Sequence, residues 1–229
     1  MRILIGYSAC PLTQAAFEAK GHDVYTCDLL PPRDASRSDK HFQCDIWDVA
    51  RERWDMGIFH PMCTFLTISA AWAFADPDFV RYPEVGYHQK IEEGTLVGAA
   101  RRAARDEALD NFRALLALPY PKAIENPAPS FVSKAIRPPD QTIQPFMFGD
   151  DASKRTGLWL DRLRKLRPSG FATPRMVGGG QPDLYGFTVP RWSNQTDAGQ
   201  NRLSPGEERW LERSATYPGI ARAFAEAWG

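Results

Sequence analysis

The stretch Trp54-Asp55-Met56-Gly57-Ile58-Phe59-His60-Pro61-Met62-Cys63-Thr64-Phe65-Leu66 constrains this chain more than any other. Met56 to Phe59 is a short unbroken apolar run, the pattern of a strand buried inside a parallel sheet. Pro61 ends the run by withdrawing a backbone donor. Cys63 is thereby held at the carboxyl end of a strand. Open α/β sheets bind their ligands at that edge, so a thiol there is a candidate nucleophile. An inert buried cysteine is the competing reading of the same residue.

A second run, Lys122-Ala123-Ile124, closes in the polar turn Glu125-Asn126-Pro127, which predicts a strand that brings Glu125 to the same edge as Cys63. Between the two runs, Gly94 to Leu118 carries Leu96, Val97, Ala100, Ala104, Leu109, Phe112 and Leu116 as a rough apolar stripe with arginines opposite. That spacing predicts a long helix with its arginines on a solvated face. Strand, helix and strand make one crossover unit of right-handed sense.

The amino-terminal part repeats the alternation. Arg2 to Gly6 predicts a strand, Thr13 to Lys20 a helix closed by Gly21, and His22 to Asp28 a second strand. Phe42 to Ile46 brings a third strand end, carrying Asp45. Nucleotide-binding folds place an acid for ribose hydroxyls about where Asp28 stands, although Asp28 and Asp45 also suit the capping of neighbouring turns. Further on, Ser153 to Leu160 predicts a strand entered through the basic pair Lys154-Arg155. From Arg162 to Asn201 prolines and the run Gly178-Gly179-Gly180 replace periodicity, which predicts a short insertion or loop. Ser204-Pro205-Gly206-Glu207 has the capping pattern of a helix start, and Tyr217-Pro218-Gly219-Ile220 opens a last helix through Trp228.

With 229 residues, seven Trp and thirteen Phe, the chain has ample material for one domain. Twenty-eight basic and 28 acidic side chains give a formal charge of zero, so no global field announces nucleic acid. Local clusters at Arg101, Arg102 and Arg105, and from Lys154 and Arg155 to Arg162, Arg164, Lys165 and Arg167, leave room for a basic groove. The cysteines at 10, 27, 44 and 63 form no Cys-x-x-Cys pair, the start is unlike a signal peptide, and no apolar run approaches the roughly 20 residues that span a bilayer. A cytoplasmic protein with reduced thiols, no metal site and no membrane association is expected.

A strand-end Pro-x-Cys followed by a strand-end Glu-Asn resembles the DNA cytosine-C5 methyltransferases, in which the cysteine follows a Pro-Pro pair and the carboxylate opens Glu-Asn-Val. The likeness runs along most of the chain as an ordered series of short motifs. It is similar above all to the small cytosine-methylase-like proteins of bacteriophages and prophages, in the His-Pro-x-Cys-Thr loop, the Glu-Asn-Pro turn and the Tyr-Pro-Gly-Ile-Ala tail. The resemblance implies a Rossmann-like class I methyltransferase fold, a mostly parallel sheet with helices on both faces. It implies a catalytic domain over 1–161, a short insertion at 162–201 in place of a target-recognition domain, and carboxy-terminal helices over 202–229 that complete the catalytic domain.

The resemblance also implies roles. Cys63 is the nucleophile, Glu125 meets N3 of the pyrimidine, Asn126 fixes the turn carrying Glu125, and Arg155 holds O2, with Lys154 as its adjacent competitor. S-adenosylmethionine is the implied cofactor, placed by Tyr7 and Ser8 of the first loop, Asp28 at the ribose, Asp45 and Ile46 at the adenine, and Pro61. The family's Phe-Ser-Gly-x-Gly-Gly loop corresponds to Tyr7-Ser8-Ala9-Cys10-Pro11-Leu12, so its glycines are replaced here. The 68–95 segment, with Tyr82, Tyr87 and His88, falls where the family closes over its base. The expected partner is DNA, single- or double-stranded. A pyrimidine nucleotide, or another donor, with the same ring activation is the second expectation. A noncatalytic nucleic-acid-binding relative is the third.

Overall fold

The structure, a computed structural model, describes residues 1–178, 188–203 and 215–229. Its centre is a seven-stranded sheet built from β1 (Arg2–Gly6), β2 (Asp23–Asp28), β3 (His41–Gln43), β4 (Met56–Phe59), β5 (Lys122–Pro127), β6 (Gln141–Ile143) and β7 (Thr156–Asp161). The spatial order is β3-β2-β1-β4-β5-β7-β6. From β3 to β5 neighbouring strands run parallel, and β7 runs antiparallel to both β5 and β6. The result is a mostly parallel mixed sheet of the α/β class.

Side-chain alternation divides the core into two layers. Ile3, Ile5, Val24, Met56, Ile58, Ala123 and Leu158 face one side, where they meet Phe17 of α1 (Pro11–Glu18) and Ile220, Phe224 and Trp228 of α4 (Pro218–Trp228). Leu4, Cys27, Phe59, Ile124 and Trp159 face the other, against Leu109, Phe112 and Leu115 of α2 (Gly98–Leu116) and Val132 of α3 (Phe131–Ala135). Burial on both faces explains why β1 over Ile3 to Ile5 and β4 over Met56 to Phe59 read as unbroken apolar runs.

Several bounds differ from the sequence reading. Helix α1 starts at Pro11, because proline at the first helical position gives up only an amide that would have no helical partner. Strand β3 stops at Gln43, and Asp45 caps a short 3-10 turn over Ile46–Asp48 instead of ending a strand. Strand β7 begins at Thr156, three residues later than expected. In the 162–201 segment the sequence signals only loop, yet Arg175–Gly178 (β8) and Thr188–Arg191 (β9) pair antiparallel as a separate two-stranded sheet. Both strands are short and half exposed, so they lack an apolar pattern to read. The helix start at Ser204-Pro205-Gly206-Glu207 lies outside the described residues. No helix among the described residues is long and apolar enough to cross a membrane.

The arginines of α2 correct the expectation of a solvated face. Arg101 is only 6% exposed and donates from Nη1 to Leu96 O and from Nη2 to Thr64 O, each at 3.2 Å. Arg102 donates to Phe74 O and to Asp76. Carbonyls left without partners in the irregular 64–76 segment need donors, and a long planar guanidinium on the adjoining helix supplies them.

Candidate functional site

Strand β1 lies between β2 and β4, so the chain crosses over to opposite sides of it, and the carboxyl ends of β1 and β4 are where open α/β sheets bind their ligands. His60 extends the ladder one residue past β4 by donating its amide to Gly6 O at 3.1 Å. In phase with Ile58, its ring projects to the α1/α4 face. Glu125 in β5 is in phase with Ala123 and projects to the same face. The two meet with His60 Nδ1 2.7 Å from Glu125 Oε2. The other oxygen, Oε1, lies 3.7 Å from Lys154 Nζ.

This arrangement sets the charge of Glu125. Burial pushes its carboxyl up, but Lys154 and His60 outweigh burial and hold it at about 2. An ionised carboxylate only accepts hydrogen bonds, so His60 donates from Nδ1, which leaves Nε2 as the second ring nitrogen. That Nε2 is buried and has no hydrogen-bond partner. The same holds for Asn126 Oδ1 and Ser130 Oγ. Ser130 bridges Thr67 and Asn126 Nδ2 donates to Pro61 O at 3.2 Å, so these unpaired atoms belong to segments that clasp the cysteine loop. A buried polar group left unpaired costs about 1–3 kcal/mol, and native structures keep few of them.

Cys63 is exposed and outside any disulfide. Its carbonyl accepts from the amides of Leu66 at 3.0 Å and Thr67 at 2.9 Å, which turns the chain just past the thiol. The far side of the turn is anchored by Phe131 N to Leu66 O at 2.8 Å and by Arg101 to Thr64 O. The loop that carries Cys63 is thus fastened to β5, α2 and the start of α3.

The basic residue beside Glu125 is Lys154. Strand β7 pairs Thr156 with Pro127, and Leu158, Thr156 and Lys154 share the phase of the α1/α4 face. Arg155 falls in the opposite phase with an exposed side chain, and its carbonyl accepts from Ala128 N at 3.2 Å. The approach to β7 is fastened from the 188–203 segment. Asn194 accepts from Ser153 N and donates to Ser153 O, both at 2.9 Å, and Trp192 stacks on Phe146 with ring centroids 4.2 Å apart.

The residues expected to hold a cofactor line the ends of β1, β2 and β3. Tyr7 adopts φ +58°, a left-handed backbone that a bulky side chain rarely takes and that often marks a functional turn. Its hydroxyl donates to Asn111 Oδ1 at 3.0 Å, as does Trp47 Nε1, and burial pushes the phenol up to about 12. Ser8 is buried and its Oγ accepts from Cys10 N. Asp28 accepts from Leu30 N at 3.0 Å and Asp45 from Trp47 N at 2.8 Å, so both acids do cap neighbouring turns. A carboxylate accepts at either oxygen, so capping leaves each acid able to meet a hydroxyl or amino group. Ile46 is 4% exposed and packs beneath Gly6, where an added Cβ would come within 2.6 Å of its Cδ1. That side chain is part of the core. Pro61 is buried and contributes its carbonyl to Asn126.

Two surface hollows lie elsewhere, one lined by Gln14, Glu18 and Arg37, the other of about 390 Å³ beside Trp72, Lys90 and Thr95. Neither includes Cys63 or Glu125. Among the described residues no cluster of His, Cys, Asp and Glu could hold a metal ion. No protein-family model matches the chain, and no curated protein matches it.

His60 is the site residue that sequence reasoning did not assign. Its signal is present, since an imidazole one step past a buried strand, in phase with Ile58, faces whatever the next strand delivers to that edge. Lys154 could be preferred to Arg155 only once the pairing register of β7 was known.

Proposed function

We propose that this chain transfers a methyl group from S-adenosylmethionine to C5 of cytosine in DNA, through a covalent bond between Cys63 and C6. The observation that carries the reading is the meeting of the cysteine loop and Glu125 at neighbouring strand ends, joined through His60 and through Asn126 to Pro61. The order 3-2-1-4-5 of the first strands, which is that of nucleotide-binding folds, supports it and agrees with a Rossmann-like methyltransferase fold.

Carbon 5 of cytosine is a weak nucleophile until the aromatic ring is broken. Addition of Cys63 at C6 does this, and a protonated N3 takes up the density pushed into the ring. Glu125, ionised in this site, serves as the acceptor that holds the N3 proton and the exocyclic amino group. Lys154 offers a cation where the ring's O2 gathers charge, and Asn126 keeps the Cys63 and Glu125 loops in register. Asp28 and Asp45 suit the ribose and adenine of the cofactor. When bound, S-adenosylmethionine supplies the electrophilic methyl that an activated C5 takes.

A duplex hides its target carbon, and extruding the base costs a few kcal/mol. The 162–203 segment offers, among its described residues, only the β8–β9 hairpin with which to grip a duplex. That and the balanced charge favour single strands or, as the second reading, a pyrimidine nucleotide.

The test is a covalent trap, since fluorine at C5 cannot leave as a proton does. Protein, S-adenosylmethionine and an oligonucleotide containing 5-fluorocytosine are expected to give an adduct stable to denaturation, mapped to Cys63 by mass spectrometry and lost in Cys63→Ala. An adduct with 5-fluorodeoxycytidine monophosphate but with neither form of DNA would move the substrate to the nucleotide. No adduct with any of them would overturn the reading.

A further inference from the structure

Away from Cys63 and Glu125, two further thiols meet at the ends of β2 and β3. These strands run parallel with Cys27 paired to Phe42, and Cys44, two residues past Phe42, returns to the same face. Cys27 is fully buried there, Cys44 is half-buried against the same core layer, and their Sγ atoms stand 3.9 Å apart. The Cys27 thiol also donates to the Cys44 carbonyl at 3.5 Å, which aims it at that residue. Neither sulfur is in a disulfide. A disulfide bond is about 2.05 Å long, so roughly 2 Å separates this pair from closure. Cys44 lies one residue beyond the β3 ladder, which ends at Gln43, so the closing movement falls on its side and costs no ladder pairing. Each cysteine is followed directly by an acid, Cys27 by Asp28 and Cys44 by Asp45, and any shift of the pair is passed to those carboxylates.

We propose that Cys27 and Cys44 form a redox-active dithiol that a peroxide converts to a disulfide, and that its closure draws Asp28 and Asp45 away from the cofactor. The effect on the cofactor rests on the methyl-transfer reading, whereas the disulfide does not. Burial pushes the Cys27 thiol up to about 12 and Cys44 beside it adds to the rise, so Cys27 stays protonated and does not start the reaction. Cys44, the more accessible sulfur, does. As a thiolate it attacks one peroxide oxygen, the O–O bond breaks, and the leaving hydroxide takes up the proton that Cys44 lost to become water. The sulfur is oxidised to a sulfenic acid and the peroxide is reduced. The Cys27 sulfur then forms the S–S bond as the S–OH bond breaks, and its proton leaves with that hydroxide as a second water. Two thiols and one peroxide give one disulfide and two waters.

The full chain, reduced and then exposed to hydrogen peroxide, is quenched with N-ethylmaleimide under denaturing conditions and digested without reductant. Mass spectrometry is expected to find the Cys27 and Cys44 peptides joined, the link reversed by dithiothreitol and missing in Cys44→Ser. Two cysteines that merely fill the core would keep their thiols, so Cys27 still alkylated once the exposed Cys63 is fully oxidised would overturn the proposal. Circular dichroism reports whether Cys44→Ser folds; Cys44→Ala takes its place if it does not. Calorimetric titration with S-adenosylmethionine follows in Cys63→Ala, so that oxidation of that thiol plays no part. Affinity is expected to fall roughly tenfold on oxidation, the worth of one hydrogen bond to a charged group, and to recover with dithiothreitol. With Cys44→Ser added, peroxide should leave the affinity unchanged. Equal affinity of the reduced and cross-linked forms would overturn the displacement of the acids. If the link forms and neither form binds S-adenosylmethionine, the dithiol stands and the cofactor reading falls.

Discussion

Burial drives Glu125 toward its neutral form, and it stays ionised only because His60 and Lys154 are brought to it from the ends of β4 and β7. A carboxyl held at about 2 against an ordinary 4.5 contributes stability that is fully present above 4.5 and is lost as the pH falls toward 2. The depression corresponds to about 3 kcal/mol. Glu125→Gln, which imitates the protonated group, is therefore expected to be less stable than wild type by about that amount at neutral pH. The gap should narrow below about pH 4.5 and close near pH 2. Urea unfolding of both proteins across that range checks it, and a gap that does not change with pH would mean the ion pairs contribute nothing. At this scale the sequence named Cys63, Glu125 and Asn126 because each stands beside a short apolar run that ends in a turn. It could not name His60, whose partner lies 65 residues away, since the pairing needs both strands in place.

At the scale of elements, α2 is the brace of the cysteine loop. Its guanidinium at Arg101 spans two carbonyls, of Leu96 and Thr64, and lies over the rings of Phe74 at 4.9 Å and Phe65 at 5.4 Å. Burial pushes this arginine's affinity for its proton down, so the site holds a cation at some expense and uses its geometry in return. Lysine is a point charge without the planar fork and reaches one of the two carbonyls. Arg101→Lys is expected to destabilise the fold by about 2 kcal/mol, the worth of a hydrogen bond to a charged group, and to speed amide exchange at Leu66 and Thr67. Denaturant unfolding and hydrogen exchange read the two effects, and exchange unchanged at those amides would remove α2 as the brace. The sequence placed this helix well but turned its face wrongly. Arginines at positions 101, 102 and 105 look solvated on a helical wheel, and only the loop packed over them shows carbonyls in need of donors.

The whole molecule depends on α4, which returns from the end of the chain to cover the sheet face that carries His60 and Glu125. Ile220, Phe224 and Trp228 complete the core begun by β1, β4 and β5. Its entry is tight, because Gly219 passes so near Phe148 that an added Cβ would lie 2.1 Å from the carbonyl oxygen. The Gly219 amide also donates to Asp150 at 2.9 Å. Gly219→Ala is expected to cost about 1–3 kcal/mol through overpacking, and to lower Tm by about 2–4 °C for each kcal/mol. Thermal unfolding checks it; an unchanged Tm would mean that the α4 entry shifts without loss.

What the sequence determined by itself is local. Met56–Phe59 and Lys122–Pro127 are buried on both faces, so their apolar runs announce strands whatever the topology, and proline and polar turns announce their ends. The last helix was legible from its start at Tyr217-Pro218-Gly219-Ile220, where proline suits the first helical position. What only the tertiary structure decided is phase and partnership. The pairing of Thr156 with Pro127 turns Lys154 toward Glu125 and Arg155 away from it. The closeness of Ile46 to Gly6 and Phe59 puts that side chain in the core, and the packing of the 64–76 segment on α2 buries Arg101. Alternation along a strand is visible in a sequence, but which face is which depends on the neighbouring strand, and that neighbour is chosen by the folding of the entire sheet.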